Sequence, residues 1–306
     1  MGLYFVLKLA NEEEQTKKGD AIALAIQTGN WFSDTLDNAL LPLFTLSQFV
    51  QQLEMFHTLP EEVGAAFGSG SMPFLPPNKD GEFTHRNITG TSCTDPEKIA
   101  RFEQIAAGIK RDAKMQGVLV NLQVAPLAMV CYAYPIVNTE DFEPPKLLNS
   151  TQIIGLDNLS DPSRVSAAEE TIATSDEVVI AGPLSLRQCP DCDATVKTAF
   201  IAWLTIDALT DDQIIKAKGS YHKKWGFATA IINWAELVDR SDINGLFADK
   251  GVHYQLTRTD RTYNQETNQI DVKVSILRSA ESNANRIKLF RFLFHSRSLR
   301  GLSQNR

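Results

Sequence analysis

No uninterrupted run of about 18 apolar residues, the length a spanning helix needs, occurs in this 306-residue chain. The nearest approach is GVLVNLQVAPLAMVCYAYP, residues 117–135, which carries Asn121 and Gln123 and is divided by Pro126. In lipid each buried amide needs a partner, and proline removes a backbone donor, so a span with both is costly. Two short buried strands joined by a proline-containing turn fit this stretch better.

Positive charge is also scarce. Thirty Lys and Arg against 37 Asp and Glu leave a net charge of −7. Nucleic acid is therefore not an expected partner, because phosphate binding depends on basic side chains. Four cysteines, Cys93, Cys131, Cys189 and Cys192, are too few for a disulfide scaffold and suit one or two bridges at most. The chain has no glycine-rich phosphate loop and no G-x-S-x-G elbow. Its five histidines are scattered, without a metal-type partner at helical or strand spacing. No catalytic constellation, metal or cofactor is expected. The opening MGLYFVLKLA is too short, and too broken by Lys8, for a signal peptide with a cleavage site. Val6 also breaks the myristoylation pattern.

What is present is a mixed pattern of helices and strands. Between residues 10 and 58, Leu36, Leu40, Leu43, Leu46, Val50 and Leu53 recur at three- and four-residue steps, which predicts an amphipathic helix. Pro42 should kink or restart it. The heptads are not sustained, which favours a helix covering a sheet over a coiled-coil stalk. A segment rich in Gly, Pro and Ser follows, from Pro60 to Pro96, and reads as surface loop. Asp95 and Pro96 then predict a cap and first helical position, ahead of a helix whose face is Ile99, Phe102, Ile105, Ala106 and Ile109. Beyond the strand pair come a short helix near 162–174 and strands in EVVIAGP, TAFIAWLTI, WGFATAIINW, HYQLTRT and IDVKVSI. Strands and helices in two successive sets predict an α+β fold with two units in tandem.

CPDC, from Cys189 to Cys192, fits a redox pair, half a zinc site or a local disulfide. No flanking helix would activate a thiolate there, so a structural bridge between Cys189 and Cys192, or two ordinary thiols, is the expectation. Three N-x-S/T sequons make Asn87, Asn149 and Asn158 glycosylation candidates, each in a predicted loop. With disulfides, they lean towards the secretory route.

Several of these motifs occur together in one order. Asn121-Leu122-Gln123-Val124-Ala125-Pro126 is followed by Tyr134-Pro135, Gly155-Leu156-Asp157-Asn158, Asp161-Pro162-Ser163-Arg164 and Gly182-Pro183. This series resembles the CHASE domain, the extracellular sensory module of receptor histidine kinases, including cytokinin receptors, and of receptor nucleotide cyclases. The likeness spans roughly 40–285 and is strongest over 105–190. It departs from the family at Leu156, where the family has His, at CPDC, which replaces a glycine-rich turn, and in an insert around Glu140 to Gln152.

The resemblance implies a long N-terminal helix followed by two tandem PAS-like units with antiparallel sheets. A stalk helix would occupy 1–59, with a loop and helix over 60–104. A membrane-distal unit would follow over 105–218, a membrane-proximal unit over 219–285 and a basic tail over 286–306. It further implies a small-molecule ligand in the distal unit, contacted by Asp157, with Ile180 and Gly182 on the pocket strand and Thr174 in support. The reading of Asp157 from its neighbours alone is that it caps the following turn. A homodimer on the extracellular or lumenal side is also implied, anchored through flanking helices outside this chain, with any kinase or cyclase elsewhere in the receptor. RIKLFRFLFHSRSLRGLSQNR, with six basic residues and no acid, fits a cytoplasmic-type flank, a helix on anionic lipid or a solvated terminus.

Overall fold

A computed structural model of the chain describes residues 2–66, 85–138, 148–161, 163–174, 177–185, 198–248, 253–264, 269–280 and 289–294. CPDC lies outside them. The fold is α+β, and its long N-terminal helix, α1, runs from Gly2 to Gln52. The chain divides into two units, a large one over Asp37–Glu236 and a smaller one made of Met1–Leu36 with Leu237–His295. The N-terminal helix contributes to both.

In α1, Leu40, Leu43, Leu46 and Val50 are buried, as their spacing predicts. The helix continues through Pro42 rather than restarting there. The helix α2 (Leu59–Ala66) follows, within a stretch that reads from sequence as surface loop, and it buries Leu59, Pro60 and Val63. Next comes α3 (Pro96–Ala113), whose start matches the sequence reading. The Asp95 side chain accepts from the Glu97 amide, Pro96 occupies the first turn, and Lys110 and Arg111 lie in the last. Phe102, Ala106 and Ile109 form its buried stripe.

The large unit is organised by an antiparallel sheet. Its strands are β1 (Leu119–Pro126), β2 (Tyr132–Tyr134), β5 (Val179–Ser185), β6 (Thr198–Asp207), β7 (Ile214–Ala217) and β8 (Ser220–Asn233). The order across the sheet is β2-β1-β8-β6-β5, with β7 paired to the outer part of β8. A short pair, β3 (Val137–Asn138) and β4 (Leu148–Asn149), and α4 (Val165–Thr174) complete the strand and helix set described there.

The stretch 117–135 is thus a strand pair, as expected, with Leu122 opposite Tyr134 and Val124 opposite Tyr132. One boundary is corrected. The strand containing WGFATAIINW, which by chain order opens a second unit at 219, is the central strand of the first sheet, between β1 and β6. Trp225 to Asn233 are all buried, as in a central strand whose two faces are both covered.

The smaller unit holds α6 (Ile243–Ala248), β9 (His253–Asn264), β10 (Gln269–Ala280) and β11 (Leu289–Phe294), while α5 (Trp234–Arg240) spans the division. Its strand order is β10-β9-β11, with β9 and β10 antiparallel and β11 parallel to β9. Residues 259–264 and 269, whose composition reads as turn, are strand.

Gly226 permits the contact at the centre of the large sheet. Its φ is +150°, and a Cβ there would lie 2.1 Å from the Ala125 carbonyl oxygen. Gly226→Ala must therefore push β1 and β8 apart. We expect a loss of about 3 kcal/mol or more in urea unfolding, from overpacking plus an unfavourable φ. A loss below about 1 kcal/mol would show that the two backbones are not so close.

Candidate functional site

The β1–β2 connection departs from ordinary backbone. Leu127 and Ala128 have φ of 48° and 70°, in the left-handed region that side chains disfavour. Their surroundings hold them there. The Ala128 carbonyl accepts from both the backbone N–H and the side-chain amide of Asn158, at 3.0 and 2.9 Å. Leu127 N–H donates to the Trp225 carbonyl, and Val130 exchanges hydrogen bonds with Leu156 and Gly155.

The loop that grips this turn is wired internally. Asp157 accepts at one carboxylate oxygen from the Leu159 amide, and at the other from the Ser160 hydroxyl and from Arg86 through Nε and Nη2, at 3.0 and 2.7 Å. Arg164 Nη1 donates to Asn158 Oδ1, and Arg164 Nε lies 3.3 Å from Asp161 Oδ2. Asp161 Oδ1 accepts from the Ser163 amide and hydroxyl. Asp157, Asn158, Asp161 and Arg164 are all buried, and each buried charge has its counter-charge. Gly155 is required by proximity, since a Cβ at this position would sit 2.5 Å from the Arg86 carbonyl.

A strap over residues 85–93 lies across this loop. Arg86 N–H donates to the Gly155 carbonyl, His85 bridges Leu156, and Cys93 forms a buried disulfide with Cys131. Behind it, Tyr132 stacks on Phe102 with centroids 5.3 Å apart and donates its hydroxyl to the Ser92 carbonyl. Burial, together with the negative charges of Glu62 and Asp95, pushes the Tyr132 phenol well above its usual value. Burial also pushes Glu62 up, but hydrogen bonds from Ser92 and Thr58 and the charge of Lys98 outweigh it and hold Glu62 below the usual carboxylate range.

The motif residues around Pro126, Gly155–Asn158 and Asp161–Arg164 therefore converge on one loop cluster. The remaining sequence candidates do not join it. Ile180 lies on β5, separated from β1 by β8 and β6. Gly182 sits in the β5–β6 irregularity between Ala181 and Leu184, and Thr174 is exposed at the end of α4, donating to the Glu170 carbonyl. For Asp157 the contacts are those of a turn cap, and a ligand N–H reaching it must displace one of its own donors. The sequon at Asn158 is corrected, because its amide is buried and bonded at both ends. Asn87 is exposed and Asn149 half-buried.

Sequence reasoning missed Arg86, the Cys93–Cys131 pairing and a second group of residues on the sheet. By register, Gln123, Thr229 and Trp203 stand side by side on one face, flanked by Asn121, Ile231 and Ile201 on one side and Ala125, Phe227 and Thr205 on the other. The opposite face of the same strands carries Leu122, Val124, Ala228, Ala230, Ile232, Ala202 and Leu204. Buried polarity is thus confined to one face. Asn121 Nδ2 donates to the Pro135 carbonyl and the Ser150 hydroxyl, and the Thr229 hydroxyl donates to Gln123 Oε1. Asn121 Oδ1, Gln123 Nε2 and Thr205 Oγ1 are buried without a hydrogen-bond partner. The two amides in an otherwise apolar strand were the visible signal. Among the described residues no cluster of His, Cys, Asp and Glu could hold a metal, and no helix is long and apolar enough to cross a membrane.

No protein-family model and no curated protein matches the sequence.

The disulfide closes a loop of 38 residues. On the chain-entropy account, reduction should cost about 4 kcal/mol and lower the melting temperature. A non-reduced tryptic digest should yield a peptide linking Cys93 to Cys131. Recovery of both as free thiols would remove this bridge. Tyr132 supplies a pH signature of opposite cause. A group raised on folding contributes stability that is complete below its unfolded value, roughly pH 10, and is lost as pH rises through the folded one. Thermal stability should therefore fall above about pH 10, and Tyr132→Phe should flatten that fall.

Proposed function

We propose that the chain is the ligand-sensing part of a membrane signalling receptor of the CHASE type. In this reading the large unit binds a small molecule, and the N-terminal helix and smaller unit relay the change. The observation that carries it is the buried sheet face whose Asn121, Gln123 and Thr205 keep unpartnered polar atoms. Burying such groups costs free energy unless something bonds them, and small-molecule sites combine apolar surface with a few placed polar groups.

Several further features support the reading. Three motifs of the series that resembles CHASE, around Pro126, Gly155–Asn158 and Asp161–Arg164, come together around one turn, while Gly182 stands apart on β5. The large unit has an antiparallel sheet, of order β2-β1-β8-β6-β5, as a PAS-like unit would require. The smaller three-stranded unit stands in the chain where the membrane-proximal unit would be. A buried disulfide suits an oxidising, extracellular or lumenal compartment. A relay needs an element shared by both units, and α1, with 51 residues and a length of about 75 Å, is one. A homodimer, membrane attachment through flanking helices and a separate output domain belong to the same proposal.

A second reading, a structural relay that binds nothing, is favoured by the saturated carboxylate of Asp157. A thermal-shift screen of the whole chain against a small-molecule library separates the two. At a hundredfold excess over Kd, a bound compound should stabilise by about 2.7 kcal/mol. If no compound stabilises the chain, the sensor reading falls and the relay stands.

A further inference from the structure

The polar face of the large sheet bears on the identity of the ligand, provided that the sensor reading holds. We infer that the ligand is a small uncharged molecule of the amide class, held over β1 by Gln123 and Asn121, with Thr205 at its margin. Three observations carry the inference.

The first is the pattern of donors and acceptors. Asn121 Nδ2 is committed to the Pro135 carbonyl, an obligate acceptor, which fixes the amide so that Oδ1 is the free atom. Gln123 has one amide end on the Thr229 hydroxyl and the other, Nε2, unpartnered. One free acceptor and one free donor, two residues apart on the same face of a strand, match a ligand that offers an N–H and a carbonyl. An amide or lactam does so.

The second is charge. The side chains that register places around Asn121 and Gln123, from Ile201, Trp203 and Thr205 to Phe227, Thr229 and Ile231, are not ionisable, and the charged pair further along the same face, Lys224 with Asp207, is already matched. The buried cations Arg164 and Lys224 and the part-buried Arg86 already face Asp161, Asp207 and Asp157. A carboxylate, phosphate or ammonium ligand would be buried on this face without a counter-charge, at high cost.

The third is the apolar frame. Trp203, Phe227 and Ile231 share the face with the polar groups and are buried, so the remainder of the ligand is apolar.

Benzamide, benzoate and benzylamine, three probes of similar shape and different charge, test the inference on the whole chain. We expect benzamide to raise the melting temperature, the two charged probes to leave it unchanged, and Gln123→Met to weaken benzamide binding roughly tenfold, the loss of a buried hydrogen bond. Equal stabilisation by benzoate or benzylamine, or an undiminished shift in Gln123→Met, overturns the inference. A second measurement needs no ligand. Thr205→Val removes a hydroxyl that has no partner and conserves shape, so the ligand-free chain should melt higher. A lower melting temperature would show that the hydroxyl is satisfied within the fold, and would overturn its place at the margin of the site. If benzamide fails while a library compound stabilises the chain independently of Gln123, the amide inference falls and the sensor reading survives. If nothing stabilises the chain, both fall.

Discussion

The large unit depends on the complete burial of β1. Every residue from Leu119 to Pro126 is inaccessible, with β2 on one edge and β8 on the other. A strand enclosed in this way has no bulk water to bond, so its polar side chains turn to protein groups. The Asn121 amide therefore reaches the Pro135 carbonyl and Ser150, and Gln123 reaches across to Thr229. The tight approach at Gly226, which pairs with Pro126, brings its backbone against the Ala125 carbonyl, where a side chain would not fit. Where β1 ends, the left-handed residues Leu127 and Ala128 are costly alone and persist because the Asn158 amide and the Trp225 carbonyl hold them.

From that turn outward, the structure is a series of clamps. Asn158 holds Ala128, Arg164 holds Asn158, and Asp161 faces Arg164. Arg86 and Asp157 lock the strap over the same loop, and the Cys93–Cys131 bridge makes the attachment covalent. Buried ion pairs of this kind add little net stability compared with apolar packing, but removing one partner strands a charge. They fix one loop geometry over the end of the sheet. This rigidity contrasts with the sheet face, where amide and hydroxyl groups are left unpaired. On the sheet strands Asn121, Gln123, Thr205 and His222 each bury a polar atom without a hydrogen-bond partner.

Much of this is legible without the structure. The apolar spacing of α1, the Asp95-Pro96 start of α3 and the proline-divided strand pair follow from local periodicity and capping chemistry. Other features are not. The strand at 220–233 reads as part of a second unit because chain order shows which strand comes next and not which strand lies beside it. Cys189 and Cys192 stand out as a CPDC motif, while the bridge between Cys93 and Cys131 depends on the strap crossing the β1–β2 turn. Asp157 stands out as a carboxylate in a recognisable motif, yet its partner Arg86 lies 71 residues away in sequence.

The sequence by itself determined the α+β class, the caps and faces of its helices, and the presence of two amides within a strand too polar for lipid. These are local properties, set by side-chain spacing of two or of three to four residues and by turn chemistry. Tertiary structure alone decided which strands became neighbours, that Cys93 met Cys131, and that Asn121, Gln123 and Thr205 share one buried face while Ile180 stands across the sheet from β1. Each depends on register between segments far apart in the chain, and the energy that selects a register is the joint burial and bonding of both partners, which neither segment encodes alone.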